Sequence, residues 1–160
     1  MQTLLKPLAA RDGRQSETAL AVARGTQRLL RRLNYSTITE LPLLTGRRAD
    51  IVALGADATI IIVEIKSSVA DFRSDTKWGE YRAHCDRFYF AIPESVPIDI
   101  MPKDAGLILA DAYSADILRQ APEQRMAPAT RRAGLMRFAH AAAQRLHRLG
   151  DPAGAARLAQ

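Results

Sequence analysis

Residues 59–66 read TIIIVEIK, with β-branched side chains at most positions and no polar alternation until the end. A continuous apolar run of that length predicts a strand covered on both faces, central in a sheet. Polar and apolar positions on either side set out the other elements. Ser16 can N-cap a helix over residues 17–33, where Leu20, Leu29, Leu30 and Leu33 are partly helically spaced and Gly25 is a weak point. Strands are predicted over 37–44 and 48–54, joined by the Thr45-Gly46 turn, and residues 55–58 (GADA) turn the chain into 59–66. Ser74 can cap a helix through about residue 84 that carries Lys77, Trp78 and Tyr81. A strand over 87–92 stops at Pro93, a connection broken by Pro97 and Pro102 follows, and strands over 106–110 and 116–119 can form a hairpin. Pro128 opens a last helix that runs to about residue 149 and ends at Gly150. The order is αβββαβ, then a β-hairpin and a helix. It predicts one α/β domain with a mixed sheet over residues 16–150, between a flexible arm (1–15) and a C-terminal tail (151–160).

Composition narrows the class. At 160 residues and 17.6 kDa, 48% hydrophobic and 25% charged, the chain fits one globular domain and excludes a wholly disordered one. No apolar run approaches the roughly 20 residues of a membrane-spanning helix, and no secretory signal pattern opens the chain. Cys85 is the single cysteine, so an intrachain disulfide and a multi-cysteine zinc site are excluded and a cytoplasmic setting is expected.

Charge changes the picture more. The 23 basic and 17 acidic residues give a net charge of +6, unevenly spread. Residues 40–123 carry −5 and the two flanks together +11; 19 of the basic residues are arginine. Arginine binds phosphate oxygens through a two-pronged fork, so basic flanks point to nucleic acid. A GC-rich genome that favours arginine and alanine codons accounts for the same composition. Six arginines and no acid lie between Gln124 and Gly150. Arg131, Arg132, Arg137, Arg145 and Arg148 are expected to project from the last helix while Leu135, Phe138 and Leu146 pack inward. Such a face can hold a phosphate backbone without reading bases. Arg47 and Arg48, in the turn beside Asp50, are placed to grip phosphates near it.

The chemistry converges on Asp50, Glu64 and Lys66. Glu64 and Lys66 are two apart on a strand and share a face. Asp50 lies seven residues before Asp57 and Glu64 seven after it, so a hairpin turning there brings the two carboxylates nearly opposite. Two facing carboxylates repel unless a cation sits between them, and Mg²⁺ suits such a site. The Ile65 carbonyl can add a ligand from the strand itself. A bound cation acidifies its water, and Lys66 can orient that water or stabilise the developing oxyanion. A same-face ion pair between Glu64 and Lys66 is the plainer alternative.

Asp50 followed by Glu64-Ile65-Lys66 on the next strand, within αβββαβ order, resembles the PD-(D/E)XK nuclease superfamily. Asp50 follows Ala49 where the motif's name has proline, which leaves the aspartate itself in place. Longer stretches are similar to the bacterial MmcB-like DNA repair proteins: GRRADIVALG (46–55), VEIKSS (63–68), DFRSD.KW (71–78), YRAHCDRFYFA (81–91), GLILADAY (106–113) and RFAHAAAQRLHRL (137–149). The resemblance implies a restriction-endonuclease-like fold and a role in DNA repair. With the site it implies a Mg²⁺-dependent nuclease (Mn²⁺ substituting) acting on damaged or branched DNA near the nucleoid; a catalytically silent DNA-binding or adaptor module on the same fold is the alternative. A homodimer and a repair-protein partner stay open.

Lesser candidates surround this set. Glu40 on the first strand can act as an outer carboxylate or simply be solvated. Glu17, the acid of the first helix, suits the helix dipole better than the site. Lys77 and Tyr81, four apart on the predicted helix, resemble the accessory polar residues of the superfamily. Trp78, Phe88, Tyr89 and Phe90 read as core, Cys85 as a buried thiol, His140 and His147 as surface or packing residues, and Asp71 and Asp75 as helix-start acids.

Overall fold

The computed structural model describes residues 16–157. Ser16 accepts the Ala19 N–H at 3.1 Å and starts α1 (Glu17–Arg32), with Glu17 in its first turn. Three strands follow, β1 (Ser36–Pro42), β2 (Arg48–Leu54) and β3 (Ile60–Ile65). The crossover to β4 (Arg87–Ile92) carries α2 (Val69–Ser74) and a 3₁₀ segment, Trp78–His84. A short 3₁₀ turn (Ile98–Ile100) leads to β5 (Gly106–Ala110) and β6 (Ala115–Arg119), then come α3 (Pro128–Gly150) and, within the C-terminal tail, α4 (Pro152–Arg157). The strands lie side by side in chain order. Pairing is antiparallel between β1, β2 and β3, parallel from β3 to β4 and β4 to β5, and antiparallel again for β5 and β6. This is the mixed sheet and the αβββαβ order expected, extended by a hairpin and a helix. The 1–15 arm lies outside the described residues.

All six positions of β3 are buried, as its unbroken apolar run predicts. One face of the sheet, with Ile51, Ile61, Val63 and Ile108, packs on Val22, Leu29 and Leu30 of α1. The other, with Ile62, Phe88 and Phe90, packs on Trp78, Tyr81, Leu135 and Phe138. Trp78, Phe88, Tyr89 and Phe90 are core: Trp78 stacks on Phe88 at 5.7 Å and meets Phe90 edge-on at 5.1 Å. Gly25 proves to be a contact point. A Cβ there would collide with the carbonyl oxygens of Asp111 and Ser114, so only glycine lets α1 lie against the β5–β6 turn.

Two expectations fail. In place of a helix started by Ser74, α2 ends at Ser74 and a separate 3₁₀ segment follows over Trp78–His84; Ser68 caps α2, accepting the Asp71 N–H at 3.0 Å. Asp75 breaks the chain between them because its carboxylate binds the Lys77 N–H and the Lys66 ammonium instead of sitting on a helix. Leu146 does not pack inward: it is 71% exposed, and the apolar contacts of α3 with the core come from Leu135, Phe138, Ala141 and Ala142.

Candidate metal and phosphate site

The β2–β3 register runs from Leu54↔Ile60 to Ile51↔Val63, and its next step places Asp50 opposite Glu64. There the ladder gives way to side chains. The Asp50 N–H donates to Glu64 Oε1 at 3.1 Å, and the Ile65 N–H donates to Asp50 Oδ2 at 2.8 Å. Each carboxylate thereby fixes the other's strand and spends one oxygen doing so.

The β1–β2 pairing skips the same level. Thr39↔Ile51 and Leu41↔Ala49 are in register, and Glu40, which falls opposite Asp50 between them, has φ of 53° in the left-handed region. A non-glycine residue held there stores of order 1 kcal/mol, a strain that recurs at functional sites. Alternation breaks at this level in both strands. Ile38 and Leu41 share one core face, as do Ala49 and Val52, although three positions separate each pair.

Glu64 is 4% exposed and Lys66 5%, while Asp50 is half-buried. Burial pushes both carboxyls above the usual range, the facing Asp50 charge raises Glu64 further, and the Glu40 charge adds to Asp50. Lys66 donates to Asp75 Oδ2 at 2.7 Å, an ion pair that joins the end of β3 to the residue after α2.

Tyr81 is buried beside this pair. Its hydroxyl donates to the Arg48 carbonyl at 3.1 Å, and burial, with the Glu64 charge next, pushes its pKa up to about 12. Lys77 is exposed and meets the site only through its backbone N–H on Asp75 Oδ1. A 3₁₀ segment turns every three residues, so Lys77 and Tyr81 do not share the face that an α-helix would give them. Asp71 behaves as a helix-start acid, accepting the Ser67 N–H at 2.9 Å; Asp75 does not.

The predicted phosphate-gripping arginines divide. Arg47 pairs with Glu80 at 2.5 Å and lies over the Tyr81 ring, and Arg48 pairs with Glu40. Arg131 forks onto Asp86 with contacts of 2.5 and 2.8 Å and also donates to the Ala58 carbonyl, which fastens the start of α3 to the sheet. Arg132 is exposed, and Arg137 donates to the Pro42 carbonyl at 3.4 Å. Arg145 reaches the carbonyl of the strained Glu40 at 3.3 Å, a contact no local pattern announces. Asp75 as the partner of Lys66 is equally silent in sequence, because the two are nine positions apart with a broken helix between them.

Among the described residues no group of three or more His, Cys, Asp or Glu side chains is gathered as a metal cage. The two facing carboxylates and the adjacent Ile65 carbonyl are nonetheless hard oxygen donors. Their crowding is what a Mg²⁺ or Mn²⁺ ion, which needs few protein ligands and keeps its waters, would relieve.

Cys85 is fully buried, with its thiol pushed up to about 12 by burial, and His140 and His147 are exposed. No described helix is long and apolar enough to cross a membrane.

Comparison with known proteins adds a family. Residues 6–153 match the model described as DNA repair protein MmcB-like. No curated protein matches the chain. Among solved structures it is similar to the SPO1766 protein of unknown function from Silicibacter pomeroyi, at 41% identity and a TM-score of 0.84, over 88% of this chain and 96% of that one. It is also similar to a repair endonuclease from Pyrococcus abyssi, at 16% identity and a TM-score of 0.40, over 65% of this chain and 50% of that one.

Proposed function

The chain belongs to the MmcB-like DNA repair protein family, and on that premise we propose that it is a Mg²⁺-dependent nuclease that hydrolyses DNA phosphodiester bonds. The observation that carries this reading is the cross-bonded pair of Asp50 and Glu64, two carboxylates crowded into a buried strand end with Lys66 two residues on. A structural ion pair would need one carboxylate; two facing each other raise their own free energy without a cation.

Asp50, Glu64 and the Ile65 carbonyl would hold the ion, Mg²⁺ or Mn²⁺. Bound there, it supplies charge neutralisation at the scissile phosphate and a more acidic water. Lys66 is held by Asp75 and has three donors, so its ammonium can serve the phosphate oxygen on which charge develops, or orient the attacking water. Tyr81 is buried beside the pair, and Glu40, opposite Asp50, is an outer carboxylate. Lys77, from the rim, and Arg47, Arg48 and Arg137 are the candidate phosphate contacts near the site, and Arg132, beside Arg131 towards the start of β3, is a more distant one. Arg131 serves the fold first, through Asp86.

One observation favours the second reading, a catalytically silent DNA-binding module. Asp50, Glu64 and Lys66 each already have a partner inside the chain, so the network is closed without a ligand. The test is a panel of duplex, single-stranded, nicked and branched DNA, with Mg²⁺ or Mn²⁺ and with EDTA. Metal-dependent scission that disappears in Glu64→Ala while binding persists supports the nuclease, and scission surviving in Glu64→Ala overturns it. Binding indifferent to EDTA, with no scission of any substrate, supports the silent module.

A further inference from the structure

The outer face of α1 carries four arginines. Arg24, Arg28, Arg31 and Arg32 fall within an arc of about 100° on the helix, opposite Val22, Leu29 and Leu30, which bury against the sheet. All four are exposed, and none forms an ion pair with an acid among the described residues. Five arginines elsewhere do: Arg47, Arg48, Arg82, Arg87 and Arg131 each pair with a carboxylate. Four like charges on neighbouring turns repel one another, at a cost that a polyanion would remove.

Two tyrosines flank this stripe. On one side Thr37 donates to Gln27 Oε1 at 3.3 Å, bringing the start of β1 against the helix, and Tyr35 lines an open groove with Arg24, Arg28 and Arg31. On the other side Arg28 donates to the carbonyl of Tyr113 in the β5–β6 turn and Arg32 to that of Ala115 at the start of β6. That turn is firmly held. Gly25 lets it press on the helix, and Asp111 Oδ1 accepts the N–H groups of Tyr113 and Ser114 at 2.7 and 2.8 Å. Yet the Tyr113 side chain is 77% exposed. An exposed ring on a fixed turn, with arginines beside it, is the arrangement that stacks an unpaired base while cations follow the backbone.

The stripe is separate from the carboxylate site. Ser36, at the groove, and Glu40, level with Asp50, are four residues apart on β1, about 13 Å. In addition, α1 covers the sheet face opposite the one that carries Ile62 and Phe90. We propose that the α1 face, with Tyr113 and Tyr35 at its flanks, is a seat for single-stranded DNA, distinct from the site of Asp50 and Glu64. This rests on the DNA-directed reading above and narrows its substrate class to DNA with a single-stranded arm, such as a gapped or branched molecule. Paired bases present no free face to Tyr113, so duplex gains only the arginine contacts.

The test is equilibrium binding of labelled oligothymidylate and of a blunt duplex to the full chain in EDTA, titrated with salt. Arg24→Ala/Arg31→Ala is expected to lower the slope of log K against log salt for the single strand by about 1.4, two contacts at about 0.7 each. Tyr113→Ala is expected to weaken oligothymidylate about tenfold and leave duplex binding unchanged. These side chains are exposed, so both variants should melt with the wild type. Wild-type affinity and slope in both variants would overturn the α1 seat while leaving DNA binding at the carboxylate site intact, and so would tighter binding of oligouridylate than of oligothymidylate. A wild-type chain that binds no DNA at low salt would overturn the DNA-directed reading itself, and this seat with it.

Discussion

Lys66 Nζ and Asp75 Oδ2 lie 2.7 Å apart, in an ion pair that ties the last buried residue of the β3 end to the break between α2 and the 3₁₀ segment. The ammonium is therefore held by a residue that is itself placed by tertiary structure. Asp75→Asn keeps an oxygen acceptor but loses the charge. We expect it to fold, to bind DNA as the wild type does, and to cleave about 10- to 100-fold more slowly, the worth of a charge-assisted hydrogen bond. Single-turnover cleavage alongside binding measures this. Asp75→Glu should recover part of the rate, and an undiminished rate in Asp75→Asn would remove Asp75 as the residue that positions Lys66.

The crowding of Asp50 against Glu64 makes a prediction about metal. Adding Mg²⁺ at about ten times its dissociation constant should stabilise the wild type by about 1.4 kcal/mol, a rise of about 3–5 °C in thermal midpoint. Glu64→Gln keeps an oxygen for the Asp50 N–H and removes one of the two facing charges. It should be at least as stable as the wild type in EDTA and gain nothing from Mg²⁺. Equal metal-induced shifts in the two proteins would place the ion elsewhere.

A third prediction concerns acid stability at the Asp86–Arg131 pair. Burial alone would raise the Asp86 pKa, but the Arg131 fork and the Ile60 N–H outweigh it, and the net shift is downward. A carboxyl with its folded pKa below the unfolded one contributes stability above the unfolded value, near 4, and loses it as pH falls through the folded value. Denaturant melts taken from pH 7 to pH 3 should show this loss. Asp86→Asn should be about 2 kcal/mol less stable at pH 7 and should flatten the acid limb. An acid limb as steep in the variant as in the wild type would assign the loss to other carboxyls.

Adjacent residues of α1 should respond in opposite directions. Among the described residues the buried Thr26 hydroxyl has no hydrogen-bond partner, so Thr26→Val, nearly isosteric, should stabilise by about 1 kcal/mol. Gly25→Ala drives a methyl into two backbone carbonyls of the β5–β6 turn and should destabilise by about 1–3 kcal/mol or more. Thermal melts of the two variants decide both signs.

Much of this architecture was legible along the chain because the signals are local. The unbroken TIIIVEIK run marked the central strand, and the symmetric spacing of Asp50 and Glu64 about Asp57 predicted the register that the sheet adopts. Strand alternation and turn position depend only on neighbours a few residues away. The partner of each charge was not legible. That Lys66 belongs to Asp75, that Arg131 is taken by Asp86 while Arg24 and Arg31 stay clear of the described acids, and that Glu40 sits strained opposite Asp50 follow from the path of the crossover and the docking of α1 and α3. These pairs join separate elements through largely buried contacts, so no local periodicity records them. By itself the sequence determined the sheet, its central strand and the meeting of two carboxylates. Only the tertiary structure decided which charges those elements neutralise and which they leave facing outward.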